Sequence, residues 1–390
     1  MDKTADAVII GGGIFGVSAG FFLAKKGFGN IVLLEPRSLA AVSTGHSAAA
    51  IRTLYSNPLT VQLAKRSVEM FRNSKEVFGC DTLFTPSGYL VLMGDESVDA
   101  GKRVMQLERE QGIRVDELDS RELKARYPML QLDDIQCGML EVDSGFADPL
   151  KTTQVMAETA TPGGLKVIEG VGATGIEVDG NGGVSSVTTS NGSVSTRVVV
   201  NAAGGWGRIV AGWVGLNYSF RWSRESDIVM EVPFDNHEMP WISDPELRFY
   251  CRPDGSGNLL AGLGFPKEID PLDIDDYDKN IDAPTRDRIQ GLVNKRFPGT
   301  ANSRIIRGWS SMYTISDDWH PLVGQEPEVP GYYACVAGCG HGFKLAPPMG
   351  EALADIIAGE TPDIDIHPLR PNRFIEGEYF QSVWGSGNRG

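Results

Sequence analysis

Gly11, Gly13 and Gly16 stand in the spacing G-x-G-x-x-G, and Glu35 follows at the end of the next apolar run. Residues of these types in this pattern grip a dinucleotide. The first glycine permits a tight turn, the second lets backbone approach a pyrophosphate, and the third lets a helix close on the preceding strand. The N-terminus of that helix offers free N–H groups and a partial positive charge to the phosphates. The Glu35 carboxylate can accept hydrogen bonds from ribose hydroxyls and disfavours a 2′-phosphate. This fingerprint does not separate FAD from NAD. Far downstream, residues 198–206 (VVVNAAGGW) form an apolar strand ending in small residues. Some FAD-binding folds bring a second strand to the same cofactor there, although an ordinary core strand with a glycine turn would read alike.

The elements that must position these residues follow from periodicity. Residues 7–10 read as a buried strand, 14–26 as a helix stopped by Gly27 and Gly29, and 30–35 as a second strand. Apolar residues surround that helix, so it should be buried within a doubly wound sheet. A Ser/Gly/Ala-rich loop (43–50) leads to a helix over 58–78. Short strands such as 88–92 then alternate with charged helices over 98–111 and 120–127. Segment 150–215 returns to an α/β pattern with a turn-rich hairpin near Asn191-Gly192. Residues 220–304 are strand-like and punctuated by proline, and a final helix is expected from about Pro348. The expected class is mixed α/β. A Rossmann-type cofactor domain (1–80, 147–218 and 305–375) interleaves with a substrate domain on a mainly antiparallel sheet (81–146 and 219–304), and 376–390 form a tail.

With 390 residues and a formal charge of -15, the chain is long enough for two or three domains. Its acidic balance argues against nucleic acid, which needs a basic surface. Cys80, Cys137, Cys251, Cys335 and Cys339 include no CxxC pair and give no zinc spacing, so neither a disulfide framework nor a metal site is expected. A reducing cytoplasm fits. The apolar run from Ala5 to Ala24 lacks a basic flank and is crowded by glycine, which suits strand–turn–helix rather than a membrane span. The acidic run 268–282 lacks the glycine of a calcium loop and reads as a solvated loop edging the active-site entrance.

With these elements assembled, the chain resembles the D-amino-acid oxidase superfamily of FAD enzymes, nearest its sarcosine oxidase and glycine oxidase branch. The resemblance covers roughly 5–375 and rests on VIIGGGIFG with Glu35, GHSAAAIRTLY (45–55), NAAGGWG (201–207), SSMYT (310–314) and AGCGHGFKLAPPMGEALADIIAG (337–359). It implies removal of a hydride equivalent from the carbon beside an amine nitrogen, with flavin N5 as acceptor, and hydrolysis of the imine. It implies cofactor contacts from Gly11, Gly13, Ile14, Phe15, Gly16, Glu35, Pro36 and Arg37. Further contacts would come from Gly45, His46 and Ser47, from Ala203, Gly204 and Trp206, and from Gly338, Gly340, His341, Gly342, Phe343 and Lys344. Arg52 matches the family's arginine over the flavin and Lys344 a second cation, together anchoring a substrate carboxylate. Tyr250 and His341 are the remaining catalytic candidates, and the 338–344 turn could stabilise reduced flavin.

Two departures matter. Some members bind FAD covalently through a cysteine just before MYT; Ser311 stands there, so the FAD is expected to be non-covalent. Leu260 aligns with a lysine that speeds reaction with O2, with Lys267 the nearest alternative, so the acceptor is O2 or another electron carrier. The leading expectation is oxidation of a secondary, N-methylated or other α-amino acid. The alternatives are a 2-hydroxy-acid dehydrogenase and an electron-relaying subunit that needs a partner.

Overall fold

The computed structural model describes residues 3–381 apart from 266 and 268; the expected tail beyond 381 and Glu268 lie outside the described residues. Ala7–Ile10 is buried at every position and lies in the centre of a six-stranded sheet. The sheet order is Leu322–Gln325, Tyr332–Val336, Val199–Asn201, Ala7–Ile10, Ile31–Glu35, Leu165–Glu169, parallel except for its Leu322–Gln325 edge. Continuous apolar runs suit strands covered on both faces. Helix Ile14–Lys25 is buried along all but its last residue, packed between this sheet and helix Gly342–Ile357. A three-stranded antiparallel sheet over 173–195 forms a flap on the same unit.

The second layer is an eight-stranded sheet, antiparallel except where Trp241–Asp244 pairs with Tyr89–Met93. Strand Ile305–Ile315 belongs here. It pairs with Arg221–Met230 from end to end, whereas the sequence pattern assigns residues 305–315 to the cofactor domain. It is the edge strand of that sheet, half-buried or exposed over residues 305–309 and almost wholly buried over 310–315, and chain order alone could not assign it.

Two helices differ from expectation. The helix expected over 58–78 is Pro58–Arg72 followed by Ser74–Val77, broken at Asn73. There Asn73 leaves the helical conformation (φ -106°, ψ 34°), and its side-chain amide donates to the Glu69 carbonyl that its own N–H also reaches. The last helix starts at Gly342, not near Pro348. Pro347 and Pro348 sit in its second turn, where each removes a backbone donor and orphans a carbonyl one turn earlier. The Ser67 hydroxyl donates to the Lys344 carbonyl, the one that Pro348 leaves unpaired. Among the described residues no helix is long and apolar enough to cross a membrane.

Candidate active site

The G-x-G-x-x-G turn is glycine because backbone approaches backbone there. Gly11 has φ +113°, and a Cβ on it would lie 2.4 Å from the Ala202 carbonyl oxygen. A Cβ on Gly16 would lie 2.0 Å from the Gly11 carbonyl oxygen. Strand end, turn and helix start therefore close on one another and open toward a groove. The Ile14 N–H donates to Thr44 Oγ1 at 3.1 Å. Glu35 accepts from the Gly12 and Arg37 N–H groups, both at 2.8 Å, which fixes the carboxylate at the groove's edge.

Three adjoining hollows make up the groove. The first is lined by Gly11, Gly13, Glu35, Pro36, Arg37, Ala203, Gly204 and Trp206. The Arg37 guanidinium lies 5.0 Å over the Trp206 ring, and Trp206 Nε1 donates to Asp275 at 2.8 Å. Through this bond the acidic loop, expected to edge the active-site entrance, meets the Trp206 wall of the first hollow. The middle hollow adds Ile14, Phe15, His46, Ser47, Gly338, Gly340, Gly342 and Phe343. It shares Gly13, Ser43, Thr44, Ala202, Gly204 and Met312 with the first. Gly16 and Gly45 line none of the three: Gly16 packs under the turn, and Gly45 bonds back to Ala40 inside its loop.

The third hollow is a cleft between the two layers, and it shares Ser47, Ala48, Tyr250, Tyr313, Gly340 and Phe343 with the middle one. Arg52, Lys344, His341 and Tyr250 all line it. Arg52 is 8% exposed, with its guanidinium 4.6 Å over the Tyr55 ring and 5.4 Å from that of Tyr89. One of its nitrogens donates to the Leu54 carbonyl, and no described carboxylate forms an ion pair with it. Burial pulls its pKa down, but Tyr89, Tyr55, Glu141 and Glu108 outweigh that and hold it above the ordinary value. Lys344 is 5% exposed on the third residue of helix Gly342–Ile357. A cation there opposes the helix dipole, so its place is not explained by helix stability. His341 Nδ1 lies 3.1 Å from the Tyr55 hydroxyl.

Thr44, Arg252 and Asp227 were not legible beforehand. Thr44 caps the fingerprint helix. Arg252 is buried, donates to the Ala48 carbonyl at 2.8 Å and so braces the loop between middle hollow and cleft. Burial depresses its pKa to about 10. Strand alternation from Tyr250 could have placed it on the same face. Asp227 lines the middle hollow and accepts from the Tyr250 hydroxyl at 2.6 Å. Leu260 is packed with Val229 and Trp241 and lines none of the hollows. Lys267 is nearly buried, ion-paired with Glu225 and 4.9 Å from the Tyr313 ring. Cys339 is fully buried, with its thiol pushed up to about 11 by burial.

Comparison with known proteins agrees with this geometry. The chain is 29% identical over 388 residues to mitochondrial sarcosine dehydrogenase of Mus musculus, covering 96% of this chain and 42% of that protein. It is 28% identical over 397 residues to mitochondrial dimethylglycine dehydrogenase of Rattus norvegicus, covering 95% and 45%. The chain thus spans under half the length of these two relatives. The crystal structure of L-proline dehydrogenase from P. horikoshii superposes with a TM-score of 0.90 at 27% identity, covering 97% of this chain and all of that one. The family model for FAD dependent oxidoreductases (DAO) matches residues 6–356. The glycine cradle, the helix N-terminus and the continuous groove fit the cofactor of that family, and the chain belongs to the DAO family of FAD-dependent oxidoreductases.

Proposed function

We propose that the chain oxidises the C–N bond of a secondary, N-methylated or other α-amino acid. One observation carries the reading: two buried cations, Arg52 and Lys344, from separate elements meet in a cleft continuous with the glycine-lined groove. The relatives named for sarcosine and dimethylglycine support an N-methylated substrate.

Bound FAD supplies the two-electron acceptor. Gly11, Gly13, Ile14, Phe15 and Glu35 would hold its dinucleotide part, with Pro36, Arg37, Ala203, Gly204 and Trp206 around the first hollow. His46, Ser47, Gly338, Gly340, Gly342 and Phe343 would hold the part that reaches the cleft. Arg52 presents a planar fork to the substrate carboxylate, its plane fixed by Tyr55 and Tyr89. Lys344 adds a point charge, and the two together orient the bond to be oxidised. Tyr250 and His341 complete the wall, His341 steadied by Tyr55. Tyr89 and Trp241, stacked at 6.2 Å, help exclude water from the cleft. With Ser311 before the MYT sequence and the Cys339 thiol protonated at neutral pH, the FAD is non-covalent in this reading.

Anaerobic mixing of the purified protein with amino acids, N-methyl amino acids and 2-hydroxy acids tests this. Bleaching of the flavin by an amine class is the expected result, and reoxidation in air then distinguishes oxidase from dehydrogenase. Bleaching by hydroxy acids alone would refute the reading.

A further inference from the structure

Asp227 lies on strand Arg221–Met230, opposite Gly262, and Gly262 lies opposite Tyr250 on the next strand. The three residues form one row across the eight-stranded sheet. The central position is bare, and a Cβ on Gly262 would stand 2.2 Å from Asp227 Oδ1 and 2.5 Å from the Tyr250 hydroxyl. Asp227 and Tyr250 therefore reach each other across a missing side chain, and the hydroxyl donates to Oδ1 at 2.6 Å. Asp227 is 7% exposed and lines the middle hollow, while Tyr250 lines both that hollow and the cation-bearing cleft. Oδ2 has no hydrogen-bond partner and the carboxylate no ion pair among the described residues. The nearby Lys267 is ion-paired with Glu225 and also acts on Asp227 through its charge.

Tyr250 satisfies Oδ1 alone, and a carboxylate buried to this degree is stabilised by a further cationic or donor partner on Oδ2. We infer that Asp227 is that partner's counter-group: it receives the substrate's ammonium through Oδ2 and takes its proton, making the enzyme selective for amines over 2-hydroxy acids. This rests on the reading above. In the step the ammonium N–H bond breaks, an O–H bond forms on Oδ2, and the nitrogen keeps both electrons. The amine must be neutral because its lone pair stabilises the carbon as the C–H bond breaks. The proton returns to solvent as product leaves. A 2-hydroxy acid would bring only a neutral hydroxyl to the same oxygen.

The groups facing Asp227 are Tyr250 and Arg252 on strand Phe249–Pro253, Lys267 beyond strand Leu259–Leu263, and Glu225 on its own strand. Burial, partly offset by the Tyr250 hydrogen bond and by Lys267, raises its pKa to about 6. It is therefore anionic at neutral pH and loses that charge as pH falls through about 6.

The test compares wild type with Asp227→Asn, both loaded with FAD. The probes are the amino acid that bleaches wild-type flavin fastest and its analogue with oxygen in place of nitrogen: methoxyacetate for sarcosine, tetrahydrofuran-2-carboxylate for proline. Asp227→Asn is expected to lower kcat/KM for the amine about 100-fold or more, a general-base scale. It should remove the acid limb of the pH profile and leave analogue binding, read from the flavin spectrum, equal or tighter. Equal loss of both ligands, or an unchanged pH profile, would overturn the inference. Should the variant fail to hold FAD, wild type alone decides: the analogue must bind more tightly as pH falls through about 6, and pH-independent analogue binding overturns the inference. If no amine bleaches wild-type flavin, it is the broader reading that has failed.

Discussion

Replacing Gly16 with alanine should weaken FAD binding while leaving the second layer intact. The new Cβ would stand 2.0 Å from the Gly11 carbonyl oxygen, with the Gly11 carbonyl carbon and Ile9 Cγ2 each at 3.2 Å. The closest contact is to backbone, so no side chain can swing aside. Restoring the 3.4 Å of ordinary contact moves helix Ile14–Lys25 and the Gly11 turn apart by about 1.4 Å. Hydrogen bonds from N–H to oxygen span only about 2.7–3.2 Å. A displacement of that size therefore removes at least one bond to a phosphate, costing about 1.5–3 kcal/mol. That corresponds to FAD binding weaker by about 10- to 150-fold. The assay is titration of apoprotein with FAD, alongside the 450 nm to 280 nm absorbance ratio as purified. Gly212→Ala is the control, because a Cβ there meets nothing within 4 Å and its φ is ordinary. Unchanged FAD affinity in Gly16→Ala would refute the assignment of this helix start as the phosphate cradle.

Other substitutions probe separate parts of the site. Arg52→Lys keeps the charge but loses the fork and its stacking on Tyr55 and Tyr89, and should raise KM about tenfold with FAD content unchanged, for about 1.4 kcal/mol. An unaltered KM would mean the carboxylate binds elsewhere. Ser67→Ala strands the Lys344 carbonyl that Pro348 leaves without a donor, costing about 1–3 kcal/mol and lowering the thermal midpoint. Glu108 is buried against Glu141, and burial followed by that neighbouring charge holds its pKa well above the carboxylate range. The folded state therefore holds this proton more tightly than the unfolded chain, and wild-type stability falls as pH rises from the unfolded pKa through the folded one. Glu108→Gln should remove that loss, so its thermal midpoint exceeds wild type's at the alkaline end; a wild-type-like pH dependence would contradict a protonated Glu108. Acid precipitation should release all the flavin into the supernatant, and flavin retained on the pellet would refute non-covalent binding.

Local spacing determined much of this protein. The G-x-G-x-x-G turn, its flanking strands and Glu35 act within one short stretch, where steric limits on backbone approach leave only glycine. The all-round burial of helix Ile14–Lys25 was legible for a similar reason: apolar residues on every face admit no solvent side. Arg52 and Lys344 could be named because each lies inside a motif, but not what surrounds them.

Tertiary structure decided the rest, because it depends on register between strands far apart in the chain. Nothing near Asp227 in sequence marks it; the bare Gly262 between it and Tyr250 exists only once three strands are aligned. The placement of strand Ile305–Ile315 with the second layer is likewise a matter of which partner it pairs with, not of its own pattern. The early start of helix Gly342–Ile357 is supported by Ser67, a residue on another helix whose hydroxyl satisfies the Lys344 carbonyl that Pro348 leaves unpaired. Short-range sterics are written in consecutive residues, whereas burial, pairing and charge balance belong to neighbours that the chain meets only when folded.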